Sequence, residues 1–177
     1  SLTQGYFNYL AHFVSLKQLF VSTFWSYGSS DIGPTDDLSF FIGPIHLFLL
    51  AVTLSVIVIN YFRRKIKLDS YITMLSAMLF LASVFMVHEK STFIWKAIPI
   101  LSYLQFPWRF LVTANFFICL SSGYFLNYLK AGSRNILLIV LGVLVIFFNV
   151  SYFRPREWYH QTIWEKFSGL SWDKQLT

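Results

Sequence analysis

Hydrophobic positions in this chain do not simply alternate with polar ones. They gather into four long, predominantly apolar runs, 45–62, 68–87, 110–129 and 136–153. Each run is close to the roughly 20 helical residues that cross about 30 Å of hydrocarbon. None holds Asp, Glu, Lys or Arg except Asp69, at the edge of the second run. A surface helix of a water-soluble protein keeps a charged face outward, and these runs have no such face. The pattern predicts an all-α integral membrane protein: four transmembrane helices plus interfacial amphipathic helices on the outer side.

Composition agrees. Hydrophobic residues are 56% of the 177 and charged residues 12%, against about 45–50% and about 25% in ordinary soluble domains. Aromatics reach 20%, with twenty Phe and six Trp, which suits lipid-facing surface and interfacial belts. The net charge of +6 does not point to nucleic acid, because the cations are not gathered into one stripe. They sit at the ends of the apolar runs. Arg63, Arg64, Lys65 and Lys67 separate the first two, and Lys130 and Arg134 the last two. By the positive-inside rule both turns face the cytoplasm. The expected location is the inner (plasma) membrane, with both ends of the chain and the long middle connection outside. The single Cys119 has no disulfide partner and reads as a small packing residue, with Gly123 forming a small-xxx-small pair for close helix approach. Asn60, Asn115, Asn127 and Asn149 read as interhelical hydrogen-bonding groups.

The organisation follows: residues 1–44 form an extracytoplasmic interfacial helix and loop, 45–153 the four-span bundle, and 154–177 an extracytoplasmic tail. Tyr6, Tyr9, Leu10, Phe13, Lys17, Phe20 and Phe24 recur at helical spacing, which predicts a helix lying in the outer interface. Asp31, Asp36 and Asp37 fall in a Gly/Ser/Pro-rich loop and read as solvated turn residues. Their spacing matches no cation loop. No metal or other cofactor is indicated. The initial Ser and the polar end lead us to expect a piece of a longer polypeptide, with the remainder as a partner beside the lipid bilayer.

The connection 88–109 carries the candidate chemistry. Ser91 or Thr92 caps a short helix bearing Phe93, Ile94, Trp95 and Ile98, and Pro99 starts or kinks a second piece. Pro107 biases Phe106 towards extended backbone and fits a first helical turn itself. Arg109 then stands at the outer mouth of the third span, beside Trp108. A guanidinium there can grip a phosphate bidentately near free helix N–H groups. It can equally snorkel to headgroups or pair with Glu89. His88 and Glu89 end the preceding span on the same side and are candidates for the same pocket.

Several segments resemble a known family: Tyr6-Phe7-Asn8-Tyr9 with His12-Phe13-Val14, Gln18-Leu19-Phe20, Phe24 to Ser30, Gln105-Phe106-Pro107-Trp108-Arg109-Phe110, Phe153-Arg154-Pro155, and Glu165 to Gly169. They are similar to the C-terminal membrane portion of large bacterial multi-pass proteins labelled 6-pyruvoyl-tetrahydropterin synthase-related, which are grouped with GT-C-type glycosyltransferases. The chain offers no histidine cluster of a pterin synthase. The resemblance implies transfer of a sugar from a polyprenyl-phosphate carrier at the outer face, with the catalytic acidic loop outside this segment. It implies a phosphate or headgroup contact at Arg109, with Trp108 beside it. Mg²⁺ or Mn²⁺ would be compatible with such chemistry, but no ligand spacing indicates either. The alternative is a non-enzymatic lipid-carrier transporter or a scaffold for envelope polymer assembly. A third reading is a helical segment that only packs within a larger bundle.

Overall fold

A computed structural model describes residues 8–25, 38–65, 67–153 and 162. It is all-helical, with no strand among the described residues. Two short helices, α1 (Leu16–Phe20) and α4 (Thr92–Ala97), accompany four longer ones, α2 (Pro44–Phe62), α3 (Leu68–Val87), α5 (Phe110–Ser122) and α6 (Ala131–Asn149). With their flanking 3₁₀ turns, four segments are long and apolar enough to cross a membrane: Pro44–Phe62, Leu68–Val87, Pro107–Tyr128 and Ala131–Phe153. This is the architecture of a multi-pass membrane protein. The chain divides into two compact units, 1–145 and 146–177. Of the second, the described part is the end of α6, a 3₁₀ turn at Val150–Phe153, and Thr162. The candidate tail and the Asp31, Asp36 and Asp37 loop otherwise lie outside the described residues.

Packing centres on α3 and α5, with α2 against α5. The buried stripe of α3 runs Ser70, Thr73, Ser76, Ala77, Phe80, Ser83, Val84 and Val87, three and four residues apart, so it lies along one face. It meets Ala114, Ile118, Ser121 and Ser122 of α5. The opposite face of α3 exposes Tyr71, Leu75, Met78 and Leu81. The inward face is therefore smaller and more polar than the outward face, the reverse of a helix in water. Small residues let backbones approach where lipid gives no hydrophobic drive for helices to associate. Three of the four hydroxyls, those of Thr73, Ser76 and Ser83, are satisfied locally. Ser76 Oγ donates to Ile72 O at 2.9 Å and Ser83 Oγ to Leu79 O at 2.8 Å.

Close approach does not use the Cys119–Gly123 pair. Cys119 is exposed, and a Cβ at Gly123 would meet only the carbonyls of Leu120 and Cys119, at 3.7 and 3.9 Å. Ala114, Ile118 and Ser121 instead occupy the turned-in face. The third span also changes character at Gly123, from α-helix to a 3₁₀ segment at Tyr124–Tyr128. Tyr124 OH hydrogen-bonds Ser70 Oγ at 2.6 Å and Tyr128 OH at 2.7 Å, and Asn60 Nδ2 donates to Tyr128 OH at 2.9 Å. This chain ties the end of α2, the start of α3 and the end of the third span together. It also places the Arg63–Lys67 turn at the same end as Tyr128, two residues before Lys130. The two basic turns share one end of the bundle, as the charge distribution required.

α2 ends in a tight reversal. Arg64 adopts φ +52°, and Lys65 N–H donates to Asn60 O at 2.9 Å, satisfying a terminal carbonyl. At its other end α2 starts from Gly43, φ +96°, with Pro44 in the first helical position, where the missing N–H leaves no unmet donor. α6 buries no residue. Partly covered positions Arg134, Leu137, Leu141 and Val145 form a narrow stripe on an otherwise exposed helix.

Two outcomes follow. Ala114, fully buried, and Val112, 77% exposed, are neighbours on α5. Ala114→Leu is expected to destabilise the detergent-solubilised protein by about 1–3 kcal/mol through overpacking, and Val112→Leu to have almost no effect. Denaturant titration in mixed micelles reads both. In cells, with Cys119 replaced by Ser, Lys65→Cys and Lys130→Cys are expected to be labelled from the same side of the membrane, and Tyr103→Cys from the opposite side. Labelling of positions 65 and 130 from different sides would contradict the shared end.

Candidate functional site

The end of the bundle away from the basic turns is built from three connections. The first contains residues 8–25. The spacing of its aromatics predicts one interfacial helix, but the structure forms a 3₁₀ turn at Tyr9–Ala11, then α1. Two local signals divide it. Asn8 Oδ1 accepts from Leu10 N–H at 3.2 Å. Ser15-Leu16-Lys17-Gln18 is a capping box, Gln18 N–H donating to Ser15 Oγ at 3.3 Å and Ser15 N–H to Gln18 Oε1 at 2.9 Å. Between them Val14 N–H donates to Val87 O at 3.1 Å, and beyond them Ile42 N–H donates to Leu19 O at 3.0 Å. The segment is thus sewn to the last turn of α3, with Val14 and Leu19 in the core.

The second connection follows α3. Ser91 Oγ lies within hydrogen-bonding distance of Met86 O and His88 O, at 3.1 and 2.8 Å, two carbonyls at the helix end. Trp95 on α4, 1% exposed, donates its indole N–H to Met86 O at 3.1 Å. Its ring stacks on Tyr9 with centroids 5.3 Å apart, and Phe13 and Phe110 meet it edge-on, each at 5.9 Å. One indole therefore joins the first connection, α4 and the start of α5. Sequence reading placed Trp95 on a short helix but did not single it out. A Trp in a short apolar helix gives no period that distinguishes an interfacial anchor from a buried hub.

The third connection carries Arg109. A 3₁₀ helix at Pro99–Leu104 ends at Gln105, whose φ of +65° is a left-handed conformation costly for a non-glycine residue. Phe106 is extended (φ −126°, ψ 120°), as expected before proline, and Pro107 opens the 3₁₀ turn Pro107–Arg109 that runs into α5. This turn sets the aromatic stack. Phe106 and Trp108 stack with centroids 5.2 Å apart, Phe40 lies 6.0 Å from Trp108, and His12 meets Phe106 edge-on at 5.1 Å.

Arg109 is exposed. Its guanidinium lies 5.6 Å from the centre of the Phe106 ring and donates to Gln105 Oε1 at 3.3 Å. The strained Gln105 backbone thus directs an amide at the arginine, and the ring orients the cation. Neither contact neutralises its charge. Trp108 Nε1–H is buried without a hydrogen-bond partner.

His88 and Glu89 sit at the end of α3, as the sequence places them. No hydrogen bond or ion pair joins either to Arg109. His88 Nδ1 accepts from Lys90 N–H at 3.2 Å, and Glu89 is exposed. Glu89 and Asp69 are the two carboxylate side chains among the described residues. Among those residues no three His, Cys, Asp or Glu come together in a way that could hold a metal. The arrangement can hold an anion beside an aromatic surface. It does not itself supply a paired acid and base.

Comparison with known proteins adds nothing to this geometry: no family model matches the chain, and no curated protein or solved structure matches it either.

The unpaired indole N–H yields a test. Leaving such a group buried without a partner costs about 1–3 kcal/mol, and Phe keeps most of the ring while removing the N–H. Trp108→Phe is therefore expected to leave the apo protein as stable as the parent or slightly more stable in detergent melts. Trp95→Phe, which breaks the bond to Met86 O and leaves that carbonyl only the Ser91 hydroxyl that His88 O also shares, is expected to lower stability by about 1 kcal/mol.

Proposed function

We propose that this chain is the membrane part of a GT-C-like glycosyltransferase acting on polyprenyl-phosphate-linked sugars at the outer face of the plasma membrane. The observation that carries the reading is the Arg109 guanidinium. It is exposed, pairs with no carboxylate among the described residues, and is oriented by Gln105 and Phe106 at the end of the bundle opposite the basic turns. A carrier phosphate accumulates charge as the glycosidic bond breaks. A cation already held in place stabilises that charge preferentially in the transition state. The aromatic surface of Phe106 and Trp108 supplies a face on which a carrier or sugar can lie.

In this reading Arg109 binds phosphate, Trp108 lies beside it, and the acid or base that drives transfer comes from elsewhere in the polypeptide. The resemblance of the Gln-Phe-Pro-Trp-Arg-Phe run to the GT-C-like family is its second support. His88 and Glu89 belong to the same outer end as residues that line the approach. The carboxylate-poor site also favours a second reading, a non-enzymatic lipid-carrier transporter or scaffold that grips the same phosphate without transfer.

In the full-length protein, Arg109→Ala is expected to lower turnover of a polyprenyl-phosphate sugar at least about a hundredfold, the scale for losing one charge-stabilising group, with membrane expression unchanged. Arg109→Lys should recover part of it, since a point charge remains without the bidentate fork. Unchanged turnover removes Arg109 from the mechanism. Carrier binding that depends on Arg109 in a protein with no transfer activity selects the second reading.

A further inference from the structure

The other end of the bundle contains a cavity of about 180 Å³, roughly six water volumes at about 30 Å³ each. It lies between α3, α5 and the 3₁₀ segment that follows. Asp69, Thr73, Ser76, Tyr124 and Asn127 supply its polar wall, and Gly123 completes it together with Ile72 and Leu120. The latter two are about half exposed, at 50% and 49%, so the opening is on the surface that the apolar helices turn to lipid.

The chemistry of this wall is one-sided. Thr73 Oγ1 donates its proton to Asp69 O at 2.7 Å, and Ser76 Oγ donates its own to Ile72 O at 2.9 Å. Both hydroxyls are nearly buried and have lone pairs left over. Tyr124 OH is engaged with Ser70 and Tyr128. The Asp69 carboxylate makes no hydrogen bond or ion pair among the described residues, although Arg63, Arg64, Lys65 and Lys67 lie within a few positions in the chain. The cavity therefore presents acceptors and a negative charge, with few donors. Asp69 is exposed in the first turn of α3, where a cation can reach its carboxylate. The basic turn beside it suits a phosphate.

We propose that this cavity is a headgroup site for a phospholipid bearing a primary ammonium, such as a phosphoethanolamine lipid. The ammonium donates its three N–H groups to Asp69, Thr73 and Ser76, and the phosphate lies against the Arg63–Lys67 turn. A trimethylammonium headgroup has no N–H to donate and is bulkier, so the site discriminates between two zwitterionic lipids of equal net charge. The site stands apart from Arg109 and does not depend on the function proposed there.

Native mass spectrometry of the full chain, released from micelles holding equal amounts of phosphoethanolamine and phosphocholine lipids with identical acyl chains, tests this. The expected result is a preference for the primary ammonium of roughly tenfold, the size of one charge-assisted hydrogen bond. Asp69→Asn should abolish that preference, and Ser76→Ala, which removes one of the three acceptors, and Ser76→Val, which also fills the cavity, should each reduce it. Free ethanolamine at millimolar concentration should compete weakly. Equal retention of the two lipids by the parent protein, or a preference unchanged in Asp69→Asn, overturns the proposal. Saturable ethanolamine binding without lipid preference assigns the cavity to a free amine and overturns it as well. If a variant loses its thermal transition, the parent's lipid preference and ethanolamine competition decide the matter alone.

Discussion

The structure depends on an inverted helix surface. In α3 the outward face is Tyr, Ile, Leu and Met, and the inward face is chiefly Ser, Thr and Ala with Phe80 and two valines. Water would drive the larger apolar groups together; lipid supplies no such drive, and what remains is close packing and polar satisfaction. Thr73, Ser76 and Ser83 each donate to the carbonyl four residues earlier, so they need no partner across the interface and leave the backbones free to approach, while Ser70 pairs with Tyr124. The core of the bundle is accordingly small and dense.

Given that seam, each end is fixed by a different device. At one end a run of hydrogen bonds through Asn60, Tyr128, Tyr124 and Ser70 couples three chain segments. Polar side chains are costly in hydrocarbon unless paired, so this run disfavours any alternative register of the helices. At the other end the device is aromatic: Trp95 gathers Tyr9, Phe13 and Phe110 around one indole whose N–H closes the end of α3. That cluster holds the connections from which Arg109 projects. The two ends differ chemically as well. One carries the cationic turns, and the other carries the Arg109 guanidinium lying over the Phe106 ring.

The membrane-spanning helices were legible because length and the absence of charge are properties of the chain alone. The starts of α2 and α3 fall within one residue of the run boundaries, since Pro44 and the basic turn mark them. The fourth begins earlier than its run, at Ala131, because Gly132, Ser133, Arg134 and Asn135 are tolerated in a first turn where polar groups can still reach water or headgroups. The N-terminal connection holds shorter helices than its aromatic spacing predicts. Aromatic spacing gives a helical period, while Asn8 and Ser15 each start a new helix as N-caps, and the extended backbone of an N-cap breaks any helix running through it whatever the period continues to promise. The Pro-Trp-Arg corner was legible for the same reason as the spans: proline fixes its own φ and its neighbour's conformation locally.

Sequence by itself determined the helices, the clustering of cationic turns and the position of Arg109 at the start of α5, because each rests on hydropathy, charge or backbone sterics within a few residues. Only the tertiary structure decided which face of each helix turns inward, that Trp95 is a hub, that Gln105 and Phe106 hold the guanidinium while His88 and Glu89 do not, and that Asp69 borders an acceptor-lined cavity. In a lipid-facing chain both faces of a helix are apolar enough to be solvated, so no hydrophobic period marks the inner one. Contacts between residues tens of positions apart then depend on how the helices pack.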